Sequence, residues 1–427
     1  MKSFRVPSIF PRGGWLLSLG LLAATFFFSV PVQAGSWSGT VEKDEAGIEH
    51  VMNPATPIDG STTLQPKELW RIGGETDDED EIFGIISRAR VDQDGNLYLL
   101  DSQLSEIKVF DADGNFLRAI GREGEGPGEF RGAQDMFFLP DGNLAILQVF
   151  PGRLVGLSPQ GEPVDDHPLP SAGEGGFVLL YAGGGIVGDK LTLSIGINHF
   201  DQGVFNQERS IVAIDDEGNI VAKLHTEERS LTMTSPVFQE STWNSFDRVW
   251  TVGADHRAYI PTGWSGYKIK VCDDKGPVRY IERAYEARKR SAAEKERWSK
   301  LYNEFTKRQV PGSSWEIEEN ERDVMQIFAR EDGSLWVLSS RGVFDRPEGT
   351  MGVFDVFDPQ GRFVRQVTLE GDADPIKDGY FFEGDRLYVV TDFLAAAMSA
   401  QGGSAEALGE EEAEPMAVVC YQMQELE

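Results

Sequence analysis

The residues of this 427-residue chain that could carry chemistry are few: five histidines, two cysteines and a set of aspartate-rich turns. The histidines are His50, His167, His199, His225 and His256. No two stand four apart or as His-x-His, so no local zinc pattern is present. Two Asp-x-Asp-Gly-Asn runs, 92–96 and 111–115, have the opening of a calcium loop. A full loop needs further carboxylates and a closing bidentate Glu; here Leu97 onward reads as a strand. The runs are therefore hairpin turns, where Asn and Asp tolerate positive φ. Cys272 and Cys420 make no disulfide framework and read as buried thiols. No Gly-x-Ser-x-Gly elbow, phosphate loop or Cys–His signature occurs. The sequence thus leaves open whether the protein is an enzyme, and it names no cofactor and no metal.

What must position any site is a repeated strand pattern. Asp94-Gly95-Asn96 and Asp113-Gly114-Asn115 lie between short runs of alternating apolar and polar residues, a hairpin signal. Two hairpins make a four-stranded sheet, and the unit recurs. First turns occur at Gly95, Gly142, Gly188, Asp255, Gly333 and Gly384, and second turns at Gly114, Gly161, Gly218, Gly276 and Gly361. The spacing of the paired turns is 19, 19, 30, 21 and 28 residues, which predicts long second-to-third-strand loops in units three and five. The sixth unit lacks its second turn. Leu69-Trp70-Arg71-Ile72-Gly73 resembles the fourth strand of unit one, Leu117-Arg118-Ala119-Ile120-Gly121. This predicts an all-β ring of six four-stranded blades, closed by the N-terminal strand, which leaves no blade edge open at the seam. The two cysteines then fall in third strands of non-adjacent blades, too far apart to bond.

Between the first two blades, Gly121-Arg122-Glu123-Gly124-Glu125-Gly126-Pro127-Gly128-Glu129-Phe130 resembles the glycine-rich inter-blade signature of NHL-repeat propellers. Across residues 65–427 the chain resembles bacterial six-bladed β-propeller proteins related to NHL repeats. That family typically interrupts the ring with a helix before a blade carrying Gly-x-Leu-Trp-Val, here Gly333-Ser334-Leu335-Trp336-Val337. The resemblance implies a fold and little function. Some related propellers are lyases or lactonases that use metal-bound histidines or carboxylates, but their motifs find no residue-by-residue match here.

The flanks complete the domain reading. Residues 1–34 read as a signal peptide: Lys2, Arg5 and Arg12, an apolar run from Trp15 to Val30, then Val32-Gln33-Ala34. Residues 35–64 read as a polar linker. The whole chain has a net charge of −30, and the leader holds three basic residues and no acidic one, so the remainder carries −33. Such a surface repels nucleic acid and anionic lipid. The expectation is a periplasmic or secreted monomer that binds no nucleic acid and meets no membrane beyond export.

Two insertions interrupt the ring. Residues 283–308, within a helical insertion over 283–320, read as a helix that Pro311 and Gly312 stop. Trp298, Leu301, Tyr302 and Phe305 share one of its faces. Nine basic residues, Arg297 among them, stand against four glutamates. Residues 394–415 are small, polar and acidic and read as a disordered loop.

Candidate ligand contacts gather where second strands end and on the helix: Asp101, His199, Asp201, Trp264, Arg297, Trp298, Tyr302, Arg341 and Asp392. His199 is placed in a loop, Asn198 to Asp201, with His225 at the end of the outer strand of the same blade. The function expected is a binding module for a small molecule, glycan, peptide or envelope protein on the channel face. The alternative is a metal-dependent lyase or hydrolase, which needs His199 to converge with Asp101, Asp201 or Asp392.

Overall fold

The computed structural model describes residues 36–244, 249–307, 309–400 and 414–424. Six of the sheets are blades around a central channel; five are built on four consecutive antiparallel strands, and the sixth on three joined by a strand from the N-terminal part of the chain. The innermost strands are Ile86–Val91, Ala133–Phe138, Gly176–Val187, Thr251–Val252, Val324–Ala329 and Gly379–Glu383. Side chains alternate across each strand and pack into the neighbouring blades. Tyr98, Leu100 and Val109 of blade one meet Phe130, Met136 and Ile146 of blade two in one such layer. Phe354, Val367 and Leu369 of blade five meet Tyr380, Leu387 and Val419 of blade six in another. Each fully buried side chain of this kind contributes about 1.5–3 kcal/mol.

The ring closes as the repeat predicts. Lys67–Gly73 is the outer strand of blade six, antiparallel to Ala417–Gln422, with Val419 opposite Arg71. Cys272 and Cys420 are buried and free, in the third strands of blades four and six.

The segment expected as a linker, 35–64, is instead built into the ring over the residues described, from 36 on. Thr40–Lys43 and Glu49–Asn53 form a hairpin, and the latter strand runs parallel to Gly276–Arg283 of blade four. Ser61–Leu64 runs parallel to Phe363–Glu370 of blade five. The outer strands of these two blades have open edges, and short polar strands with alternating burial suffice to cover them. Asn53 joins the two blades. Its side chain donates to the carbonyls of Glu282 and Gly361 and accepts from the backbone N–H of Phe363.

In blade three the extra residues lengthen the strands rather than a loop. Gly176–Val187, Lys190–Asp201, Val204–Ile214 and Ile220–Thr232 are 11 to 13 residues long, where blade one uses five or six. Leu193, Ile195 and Ile197 keep one face of this strand apolar while Asn198 is buried on the other, and pairing persists to a tight turn at Gln202-Gly203. In blade five the extra length holds a short helix.

Among the described residues four α-helices decorate the face opposite the first-to-second-strand turns: α1 (Glu240–Trp243), α2 (Ala292–Thr306), α3 (Ser340–Phe344) and α4 (Phe393–Ala400). The expected helix over 283–308 is shorter at its start. Arg283 ends the outer strand of blade four, and α2 begins only after Ser291. Ser291 and Glu294 make a reciprocal capping box there, which fixes the first turn. α4 corrects the expected disorder at 394–400, because Phe393, Leu394, Ala395 and Met398 give that stretch an apolar face. Residues 401–413 of the expected acidic loop, and the leader, lie outside the described residues.

Candidate functional site

The inner strands of all six blades line a central channel with a volume of about 550 Å³. Its wall is aromatic, with Phe137, Phe138, Phe328, Tyr380, Phe381 and Phe382 in it. Charged groups interrupt that wall as pairs. Arg88 makes a fork with the buried Asp135, its Nη2 at 2.7 Å from Oδ2, and Arg90 meets Glu383 at 2.8 Å. Burial pushes the Glu383 carboxyl up, against the pull of Arg90. Arg330 lies over the Phe382 ring and donates to the carbonyl of Gly384 at 2.8 Å. Burial pushes its guanidinium pKa down.

Local backbone geometry shapes the wall. Pairing shifts between Tyr181 and Gly184, and Gly183 adopts φ +110°. A Cβ at Gly183 would lie 2.3 Å from Nε1 of Trp250, so the indole of blade four can reach the wall only past a glycine. The Gly183 N–H donates to Asp135 at 2.6 Å, which ties this bulge to the Arg88 fork.

At the helix-bearing end, Pro375, Ile376, Asp378, Phe393 and Leu394 surround the mouth. α2 packs beside it: Leu301 meets Ala395 and Met398 of α4, with Trp298 and Phe305 at the edge.

The residues expected to bind ligand are dispersed around this end. The carboxylate of Asp101 is buried and accepts from the backbone N–H groups of Gly84, Ile85, Gln103 and Leu104, which makes it a cap of its own loop. His199 is on a strand, opposite Asn206 and packed against Gly176, and Asp201 is exposed at that strand's end. His225 is mid-strand, 2.9 Å from Lys270 Nζ, because the outer strand runs on to Thr232. Trp264 donates to the carbonyl of Asn320 and lies between Arg290 and Arg322. Arg297 is exposed on α2, Trp298 donates to Glu321 and Tyr302 donates to Glu240. Arg341 pairs with Asp345 on α3. Asp392, at φ +54°, precedes α4.

The basic helix does not present a field of cations. Lys295, Lys300 and Lys307 pair with Glu319, Glu296 and Glu304, and Arg288 with Glu294 and Asp345. Among the described residues no group of three His, Cys, Asp or Glu could hold a metal ion.

The channel wall lies on the inner strands, whereas the sequence signals for a site fall at strand ends and in loops. One signal was available: Arg88-Ala89-Arg90 puts two guanidinium groups into a strand whose neighbours are apolar, and buried Arg requires partners.

This protein is thus a six-bladed β-propeller with a through-lined channel. Residues 72–170 match the model of the DUF5128 family, described as a 6-bladed beta-propeller. No curated protein matches the chain. Among solved structures it is similar to a Bacteroides fragilis protein described as a candidate exported protein (TM-score 0.45, 14% identity, covering 85% of this chain and 100% of that one). It is also similar to a member of the DUF4221 family from Bacteroides vulgatus (TM-score 0.48, 11% identity, 84% and 98% covered). A third is virginiamycin B lyase from Staphylococcus aureus (TM-score 0.40, 9% identity, 83% and 99% covered).

Proposed function

We propose that the protein is an exported binding module that takes a small molecule with an apolar body into the central channel from the helix-bearing end. The observation that carries this reading is the channel of about 550 Å³, lined by aromatics and by charge pairs of both signs. Ligand sites typically occupy about 300–1,000 Å³ and combine apolar walls with a few polar groups. The Arg88–Asp135 and Arg90–Glu383 pairs supply donors and acceptors to a polar but not strongly charged ligand. Glycan, peptide and envelope-protein partners remain outcomes of the same test. The metal-dependent alternative has less support, since Asp101 is committed to its own loop and His199 stands in a different blade. Export rests on the basic and apolar leader at 1–34, which fits a periplasmic or secreted monomer. No described helix is long and apolar enough to cross a membrane.

The test is a thermal-shift panel of aromatic acids, amines, lactones, sugars and short peptides on the protein and on Gln326→Trp, which fills the channel from its wall. A ligand at about 100 times its dissociation constant adds about 2.7 kcal/mol of stability. The reading expects a shift that Gln326→Trp abolishes. A flat panel, or a shift that survives the filled channel, would falsify it.

A further inference from the structure

The element most directly placed to control the channel is α4, and one carboxylate attaches it. Oδ1 of Asp378 accepts the backbone N–H of Asp392 at 2.9 Å, immediately before α4. Oδ2 of the same side chain accepts the N–H of Asp374 at 2.8 Å, in the loop that leads into blade six. The N–H of Leu394 adds a third tie, to the carbonyl of Lys377 at 2.9 Å. Phe393 and Leu394, the first residues of α4, are themselves part of the channel wall. Asp392 is held in the left-handed region, an uncommon conformation that its neighbours must maintain. α4 also packs Phe393 and Ala396 against the core shared by blades six and one, and Leu394, Ala395 and Met398 against Leu301 of α2.

The charges around this attachment oppose it. Asp378 faces two further carboxylates, Asp374 and Asp392. Arg346 is 3.2 Å from Asp374, and a second cation, Lys377, stands next to Asp378 in the chain. Tyr380, next along the inner strand, donates its hydroxyl to the carbonyl of Met351. Tyr421 faces the cluster from the third strand of blade six, with Glu68, Arg71 and Asp372 beyond it. Carboxylates this close do not all ionise without cost, and burial adds to the penalty.

We propose that α4 is a lid on the channel mouth, latched through Asp378, and that acid holds the latch while rising pH loosens it. The sign follows from linkage. The Asp378 carboxyl, just before the inner strand of blade six, is pushed up to about 6, chiefly by burial and by the two neighbouring carboxylates, against the pull of its two N–H donors; once α4 releases and water reaches it, the carboxyl returns toward its usual value of 3.8. The latched form therefore holds its proton at pH values where the released form does not. Its advantage is complete below about pH 4 and declines until pH passes about 6. The lid's role in ligand entry rests on the channel reading; its motion does not.

The test is amide hydrogen exchange of the full chain between pH 4 and 7, expressed as protection relative to intrinsic rates, so no ligand is involved. Protection at residues 392–398 is expected to fall by about tenfold or more across this range, since each unit of pKa difference is tenfold in an equilibrium. Residues 97–101 of blade one serve as the reference and stay level. Asp392→Asn, which keeps a residue tolerant of left-handed backbone, removes one opposing charge and should shrink the fall. Constant protection at 392–398 in the wild type sinks the proposal without any variant. So does a fall that Asp392→Asn leaves unchanged, or one shared by residues 97–101. A flat ligand panel with a pH-dependent lid would overturn the channel reading alone.

Discussion

Arg290 and Glu240 face each other with both carboxylate oxygens engaged, at 2.6 and 2.9 Å, and neither side chain is more than 1% exposed. Glu321 takes the same guanidinium from another side at 2.7 Å. Tyr302 and Trp298 of α2 donate to these two glutamates. The basic insertion is therefore fastened by a buried polar knot between the segments that precede and follow it, rather than lying free over the channel.

Breaking that knot from one side leaves two carboxylates buried without their cation. Arg290→Ala should lower stability by about 3–5 kcal/mol. Urea denaturation measures it, and a loss under 1 kcal/mol would mean that the carboxylates find water at little cost.

Asn53 makes a different kind of joint, between blades. Asn53→Ala strips partners from the carbonyl of Gly361 and the N–H of Phe363, with about 1–3 kcal/mol expected for each buried group left unsatisfied. The same denaturation experiment checks it, and exchange at residues 361–367 should rise first.

Acid should act on α2 in the opposite direction from α4. Glu294 closes the capping box and accepts from Arg288, and its carboxyl is lowered to about 2. A depressed carboxyl contributes stability above about 4.5 that is lost as pH falls through about 2. Glu294→Ala should cost about 0.5–2 kcal/mol at pH 7. The difference from wild type should close as the pH approaches 2; a gap that persists there would show that packing, not charge, is responsible.

Legibility in the sequence followed the range of the interactions. Gly95 and Gly114 announced their hairpins because the signal is local, and Leu69 to Gly73 announced closure by repeating a strand pattern found elsewhere. The segment at 40–64 gave no such sign, since strands that only cover an edge need little apolar periodicity. Blade three was misjudged because turn spacing measures length and cannot divide it between strand and loop. Arg297, expected to face a ligand, is exposed on α2, and Arg88, Arg90 and Arg330 of the channel wall were not singled out because they stand on or beside inner strands. Which rows of an inner strand face the axis depends on blade packing, and Trp250 reaches the wall only past the bulge at Gly183.

The closing strand has a consequence for the order of events in the life of the chain. Arg71 finds its partner, Val419, only after the residues between them have been made. The outer strand of blade six is thus made before any other blade strand and paired only after its third strand, and loops of this size are slow to close. Until then blade six has an open outer edge. The newborn protein is then an open arc whose unpaired edge can pair with another chain until the closing strand covers it.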